Sequence, residues 1–487
     1  MGDSTFPGPL GQANPLERDR GEGGARTAAY AGEDLAAALL SKIFERLPVS
    51  IAARLWSGPT FRVGDCSGAA GSGAAAGSGA AATADAPAFV LCFRNPQAVV
   101  GMVLGRDPLR LADAYFRGDV DIEGDLFAAL CLKDHLEAMK LTLRDRVRAL
   151  SLALKLRSLN RDSMPAHPGM QGTSERSHAR SHTVRAHSKD ENRDAIHFHY
   201  DVSNEFYKLW LDRGMVYSCG YFERADASLD DAQQAKLEHI CRKLLLRPGE
   251  RLLDVGCGWG ALLIHAARHH GVHAHGITLS QKQLELARQR IAEAGLGDRI
   301  SVELRDYRDL EGEAVYDKVA SVGMFEHVGL RNLPLYFSTV GRVLKRGGLF
   351  LNHGITHEEE GWSKNLSTEF INRYVFPDGQ LDAISNIQRF MEDAHFEIND
   401  VEALRPHYAL TLRAWVARLE RRRARALEYV NEATYRVWRL YMSACALEFE
   451  SGHLGVYQVL ASKRGRGASC LPLTRRHLYE GAADGAS

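Results

Sequence analysis

Apolar and polar positions follow two different patterns along this chain. From about Ala195 onward, short strand-like runs alternate with segments of helical period. The runs are RLLDVG (251–256), HAHGIT (273–278), ISVELRD (300–306), YDKVASVG (316–323) and GLFLNHG (348–354). Between them lie ALLIHAARHH (261–270) and QKQLELARQRIAEAG (281–295), and LGVYQVLASK (454–463) adds one more strand near the end. This alternation predicts a mostly parallel, doubly wound α/β sheet. The first third reads differently. SIAARLWSGPTFRVG (50–64) predicts two strands around a Gly-Pro turn, and AFVLCFRN (88–95) predicts a third. NPQAVVGMVLG (95–105) and the long stretch 125–161 predict helices.

Soft segments mark the divisions. Residues 1–30, rich in Gly, Pro and charge, are expected to be disordered. An N-terminal α+β domain is expected over 31–160, interrupted by the Gly/Ala/Ser tract 67–88. Residues 161–194 form a basic linker poor in large apolar side chains, 195–465 the α/β domain, and 466–487 a tail.

Composition narrows the function classes. Lys plus Arg number 61 and Asp plus Glu 61, so no bulk charge suits coating a polyanion. No window approaches the roughly 18–20 apolar residues of a membrane span. The eight cysteines include no CxxC pair, which suits free thiols in a reducing compartment. The expected location is cytoplasmic.

The first strand of the α/β domain runs into Asp254-Val-Gly256-Cys-Gly258-Trp-Gly260. This GxGxG spacing differs from dinucleotide and P-loop patterns, and no lysine follows to meet phosphates. An acidic residue before such a loop suits S-adenosylmethionine, which carries no phosphate; the alternative is a tight strand-to-helix turn without a ligand. Ligands of doubly wound sheets lie across the carboxyl ends of the strands. Thr278 and Gln283 are therefore expected at the ribose and amino-acid parts. Asp306 is expected at the adenine amino group, with Tyr307 stacking on the ring. Taken alone, His353 reads as a core histidine, Glu326-His327 as a helix start, and Cys219, Cys257 and Cys445 as small buried residues. His178 and His182 are four apart, but a flexible basic linker is the better account, and no metal site is expected.

The chain resembles the cyclopropane-fatty-acyl-phospholipid synthases and the mycolic acid cyclopropane synthases. The resemblance rests on HYDVSNEFYKLWLD (199–212), MVYSCGYF (215–222), LLDVGCGWG (252–260), GITLSQKQ (276–283), DYRDL (306–310) and SVGMFEHVG (321–329). It continues through RYVFPDGQL (373–381), PHYALTLRAW (406–415) and SACALEFESG (443–452), and DPLRLADAYFRGDVDIEGDL (107–126) is similar to the N-terminal domain of the longer members. It implies a class I methyltransferase-like sheet of seven strands, the last antiparallel. It also implies transfer of a methylene from S-adenosylmethionine to the double bond of unsaturated phospholipid acyl chains, and adds Tyr217 and Ser218 to the cofactor contacts. The resemblance further implies a bound bicarbonate as the base, held at Cys219, Glu326, His353, Tyr408 and Cys445. There Glu326 would orient His353 or accept the relayed proton. Tyr217, Phe325, Tyr374 and Phe376 offer cation–π stabilisation or are ordinary core aromatics. Leu447 and Glu448 depart from the family's small residue and leave fatty-acyl C-methylation open as the outcome. A silent lipid-binding protein on the same fold is the reading from another class. The longer members also imply a homodimer.

Basic clusters qualify the zero net charge. Lys140, Arg144, Arg146, Arg148, Lys155 and Arg157 share a helical stretch with Leu143, Val147, Leu150 and Leu154. Such a helix suits the surface of an anionic bilayer, or is simply a solvated face. No groove-reading motif accompanies these clusters or that at Arg418–Arg425, so no nucleic-acid partner is expected. Transient contact with the inner membrane face is.

Overall fold

The computed structural model describes residues 19–44, 51–58, 60–63, 87–104, 109–138, 143–159, 202–358, 380–465 and 471–479. The linker 161–194, with His178 and His182, most of the Gly/Ala tract, and Tyr374 and Phe376 lie outside them. The chain separates into two compact units, Met1–Gly169 and Met170–Ser487.

The first unit opens with helix α1 (Asp19–Phe44). Residues 19–30 are thus helical where disorder was expected, because the alanines of GARTAAYAGEDLAAALL favour helix more than the interspersed glycines oppose it. Then follow β1 (Ile51–Arg54), β2 (Thr60–Val63), β3 (Phe89–Phe93), α2 (Pro96–Leu104), α3 (Arg110–Arg117), β4 (Val120–Gly124), α4 (Leu126–Ala138) and α5 (Leu143–Leu159). The four strands form one sheet in the order β2-β1-β3-β4, with β1 and β3 parallel and the other pairs antiparallel. Its core gathers Leu39, Leu40 and Phe44 of α1, Ile51, Phe89 and Phe93 of the sheet, and Ala153 and Leu156 of α5.

The second unit begins with the short α6 (Asn204–Lys208) and α7 (Leu229–Lys243). An alternating series follows: β5 (Arg251–Val255), α8 (Ala261–His270), β6 (His273–Thr278), α9 (Gln281–Glu293), β7 (Ile300–Leu304) and β8 (Tyr316–Val322). Then come α10 (Leu333–Val343), β9 (Leu344–His357), α11 (Ile384–Asp393), β10 (Phe396–Ala403), α12 (Arg405–Arg421), α13 (Arg423–Ala426), α14 (Glu432–Ser451), β11 (Leu454–Lys463) and α15 (Arg476–Tyr479). Helix starts follow local chemistry. Ser228 accepts from Asp231 N–H, Ser280 from Gln283 N–H and Asn431 from Thr434 N–H, each filling an orphan donor of the first turn.

Seven strands form the sheet in the order β10-β11-β9-β8-β5-β6-β7. β5 to β9 pair in parallel, and β11 alone runs antiparallel, inserted between β9 and β10. This is the expected seven-stranded, class I methyltransferase-like arrangement. One face of the sheet packs on α7, α8 and α9 through Ile240, Leu263, Ala266 and Ala287. The other packs on α10 and α11 through Phe337, Val340, Ile387 and Met391. Part of the expected tail also docks, because Leu478 is buried and its carbonyl accepts from Arg242.

Candidate active site

The strand-to-helix turn after β5 is left-handed three times, with φ of +84° at Gly256, +53° at Gly258 and +80° at Gly260. A side chain in that region costs about 1–2 kcal/mol. At Gly256 a Cβ would also stand 2.9 Å from Met324 Cγ. The turn brings backbone to the rim of a cleft over the carboxyl ends of β5, β6, β7 and β8. Tyr217, Ser218, Asp254, Gly256, Gly258, Thr278, Gln283, Asp306 and Tyr307 all line that cleft. Gly260 does not; it begins α8, where the space beside it holds Ala287.

Within the cleft these groups are tied to one another. Thr278 Oγ1 donates to Gln283 Oε1 at 2.8 Å and accepts from Ser280 N–H at 3.2 Å, which fixes the end of β6 against α9. Asp306 is held by Arg308, whose Nε donates to Oδ1 at 2.8 Å and whose Nη2 donates to Oδ2 at 2.6 Å. Its carboxylate is therefore neutralised by its own neighbour, a pairing that sequence reading missed. Tyr307 packs edge-on to Tyr336 at 5.3 Å, and its buried hydroxyl has no hydrogen-bond partner. Tyr217 belongs to an aromatic cluster, with Trp415 at 5.3 Å, Trp210 at 5.5 Å and Tyr207 at 5.7 Å.

The main electrostatic element is a residue that sequence reading passed over. Lys236, on α7, is buried at the cleft and donates to Ser218 Oγ at 2.9 Å. Burial lowers its pKa to about 8, against the pull of Asp212, Cys219 and Asp254. Asp254 shows the converse: burial raises it to about 7, and Lys236 draws it back down. Nothing in the heptad-like pattern of α7 separates this lysine from a solvated one, so no sequence signal could have found it.

Four of the five candidate catalytic residues converge. Burial pushes the Tyr408 hydroxyl far up, and negative charge on Tyr217, Cys219, Glu326 or Cys445 would push it further, so these groups lie within electrostatic reach of it. Glu326 sits in the 3-10 turn Phe325–His327 at the end of β8. Its Oε1 accepts from Ile355 N–H at 2.8 Å, Oε2 is buried without a partner, and burial raises its pKa to about 7. Burial likewise raises the Cys219 and Cys445 thiols. His353, in β9, is set differently from expectation. It makes no hydrogen bond to Glu326; Gln458 Nε2 lies 3.1 Å from its Nδ1. With that amide donating, the ring proton sits on Nε2, which is buried and has no acceptor. Burial, then Lys236 and Lys243, hold His353 well below the usual histidine pKa, so it stays neutral. The reason is register: Glu326 reaches the β9 backbone at Gly354 and Ile355, while His353 faces the charges of α7. Glu448, the departure noted in SACALEF, turns to His453, with Oε2 3.0 Å from Nδ1.

Residues 187–459 match a family model described as mycolic acid cyclopropane synthetase. The chain belongs to this family. A probable fatty acid methyltransferase of Pseudomonas putida is 41% identical over 396 residues, 81% of this chain and 92% of that relative. The cyclopropane-fatty-acyl-phospholipid synthase of Escherichia coli K12 is 38% identical over 266 residues, 54% of this chain and 66% of the relative. A solved mycolic acid cyclopropane synthase, CmaA1 complexed with SAH and CTAB, matches with TM-score 0.53 and 34% identity. That match covers 56% of this chain and 98% of that structure. Members of the family are S-adenosylmethionine-dependent enzymes that modify lipid acyl chains.

The left-handed turn is the feature to test first. Gly256→Ala combines an unfavourable φ with the contact at Met324, and is expected to weaken S-adenosylhomocysteine binding tenfold or more in calorimetry, at unchanged circular dichroism.

Proposed function

We propose that this member transfers a methylene from S-adenosylmethionine to the double bond of an unsaturated acyl chain in a membrane phospholipid, closing a cyclopropane ring. The observation that carries this reading is that buried Cys219, Glu326 and Cys445, with Tyr408 in electrostatic reach, adjoin the GxGxG cleft, which Ser218 and His327 line. An alkene is a weak nucleophile without an acidic proton, so methyl transfer depends chiefly on in-line placement. The charge then develops on the acyl chain, where Tyr217 and Phe325 can stabilise it through their ring faces. A proton must next leave the new methyl group for the ring to close.

The donor set around this group fits a small oxyanion. Glu326 below about pH 7 carries a proton on a buried, unpartnered oxygen, with the Tyr408 hydroxyl within electrostatic reach, and His353, set apart on β9, would add its unpartnered Nε2–H by turning toward them. Bicarbonate held by these residues would supply the proton-accepting base. The chain's own contribution is to exclude water, hold the anion and keep His353 in one tautomer.

A second reading is favoured by the relatives that cover most of the chain. Those covering 79–81% of it are named probable fatty acid methyltransferases. On that reading a proton lost from the acyl chain leaves a methyl branch beside a double bond, or a 1,2-hydride shift moves the cation to the methylated carbon and proton loss from the new methyl group leaves a methylene. Incubation with labelled S-adenosylmethionine and unsaturated phospholipid vesicles separates the two. A gain of one CH2 with ring-specific resonances supports the first, and the same gain with a retained double bond supports the second. Unlabelled lipid overturns both.

An anionic bilayer surface is proposed as the place of action, supported by α5. Its Ala149, Ala153 and Leu156 are buried in the first unit's core, yet Val147, Leu150 and Leu154 are 58%, 46% and 51% exposed. Arg144, Arg148 and Lys155 are exposed beside that apolar stripe. Among the described residues, no helix is long and apolar enough to cross a membrane.

Two outcomes are expected. A carboxyl with a raised pKa is protonated below it, so at constant bicarbonate the hold on the anion, and turnover, should fall as pH rises through about 7. Glu326→Gln keeps a donor and should flatten that alkaline limb, while Glu326→Ala should lower kcat by roughly 100-fold or more. Replacing Arg144, Arg148 and Lys155 by Gln should weaken binding to phosphatidylserine-containing vesicles roughly 100-fold at low salt, at about 1 kcal/mol per charge. S-adenosylhomocysteine affinity should stay constant, as calorimetry would show.

A further inference from the structure

α7 and α8 lie side by side under the sheet and share two tasks along one seam. Leu237 and Ile240 from α7, and Ala261 and Leu262 from α8, line the cofactor cleft. The next positions along the same seam bring together Cys241 from α7 with His265 and His270 from α8. One ligand atom from each, the sulfur and two ring nitrogens, lies within 4.8 Å of the others. Glu238 completes the group: its Oε2 lies 3.0 Å from His265 Nε2 and 3.1 Å from His270 Nε2. None of these four residues has a task in the methyl-transfer site.

We infer that this cluster binds one zinc ion through Cys241, His265, His270 and Glu238, clamping α7 to α8 behind the cofactor cleft.

The donor chemistry suits zinc, a borderline-soft ion that takes sulfur, imidazole nitrogen and carboxylate oxygen in tetrahedral array. Zn–N and Zn–S bond lengths place the ligand atoms of such a site roughly 3.3–3.8 Å apart, so the present spread needs only modest contraction. Charge also balances: one thiolate and one carboxylate neutralise the dication, so a half-buried site carries no net charge. Loading releases the Cys241 thiol proton, since the metal takes the thiolate. Each imidazole gives the lone pair of one nitrogen and keeps its proton on the other; nothing is oxidised or reduced.

A second layer of contacts is already in place. Arg242 Nε donates to Glu238 Oε1 at 2.8 Å, which leaves Oε2 toward the histidines. Gln234 Nε2 lies 2.8 Å from His265 Nδ1. With Nε2 on the metal, Nδ1–H would donate to the oxygen of that same amide once it turns over. Such partners orient a ligand and are worth about 10–100-fold in metal affinity. Cys241 is wholly buried, while the His270 side chain is 19% exposed, which leaves an entry path from that side. The three histidines His265, His269 and His270 at the end of α8 do not show as a metal motif in sequence, because the sulfur and carboxylate come from another helix.

The test uses full-length, tag-free protein stripped with a chelator and titrated with zinc, and with cobalt(II) as a spectroscopic probe. Expected are one ion per chain, a cobalt–thiolate charge-transfer band and a higher melting temperature on loading. Cys241→Ser should remove the band, and His270→Gln, a change at a partly exposed position that the fold should tolerate, should lower zinc affinity 10-fold or more. Binding of S-adenosylhomocysteine by the stripped protein, measured separately, keeps the fate of this site distinct from that of the catalytic reading. Absence of the thiolate band, or binding at one equivalent unchanged in both variants, overturns the site.

Discussion

In the catalytic unit one ammonium group has been withdrawn from water, and much of the surrounding chemistry is arranged around it. Lys236 is 2% exposed, a burial that costs several kcal/mol unless compensated. Ser218 Oγ accepts a hydrogen bond from it, and the carboxylates of Asp212 and Asp254 draw on its charge. Asp212 is itself fixed by the N–H groups of Gly214 and Val216, at 2.6 and 2.8 Å, which shapes the chain entering Tyr217, Ser218 and Cys219. The same charge adds to the burial that keeps His353 neutral, and lowers the Cys219 thiol against its burial. The cleft after β5 and the proposed anion site are thus biased by one cation.

A second buried group of charges extends this arrangement away from the cleft. Lys243 pairs with Glu402 at 2.5 Å, and His239 Nε2 meets the same carboxylate at 2.7 Å. Both partners draw the Glu402 pKa down to about 2, so the carboxylate stays ionised. His239 is stacked on Tyr221, which in turn stacks on His407. α7 is therefore amphipathic in an unusual sense: its buried side carries ions, each answered by a partner on the sheet. Removing one partner from such a set strands the other without solvent.

How far the sequence could be read follows from this. The order of strands and helices in the second unit was legible because apolar periodicity changes with each element, and the glycine turn because its φ values admit few other residues. Thr278, Gln283 and Tyr307 were legible as cleft residues from their place at or just beyond strand ends, whereas Tyr217, between α6 and α7, came only from the family resemblance. The partners of those residues were not. Arg308 on Asp306, Gln458 on His353 and Lys236 on Ser218 are pairings of surface-type residues, two of them across 105 and 18 positions. Such side chains look solvated in sequence, and only tertiary packing shows that they are not. The start of α1 at Asp19 was misread for the opposite reason, since glycine and charge outweighed alanine in the reading but not in the fold.

The place of β11 bears on how the protein is made. This strand is laid between β9 and β10, antiparallel to both, and supplies the Gln458 that holds His353. During synthesis β9 and β10 emerge first with their facing edges unpaired, separated by the width of a strand not yet present. Chains emerge at about 5–20 residues per second, so this gap persists for seconds. Until Lys463 has left the ribosome the position between the edge strand β10 and the rest of the sheet is empty, and the histidine has no amide to fix its proton. The proton position on His353 is thus set only once the strand that carries Gln458 has taken its place in the sheet.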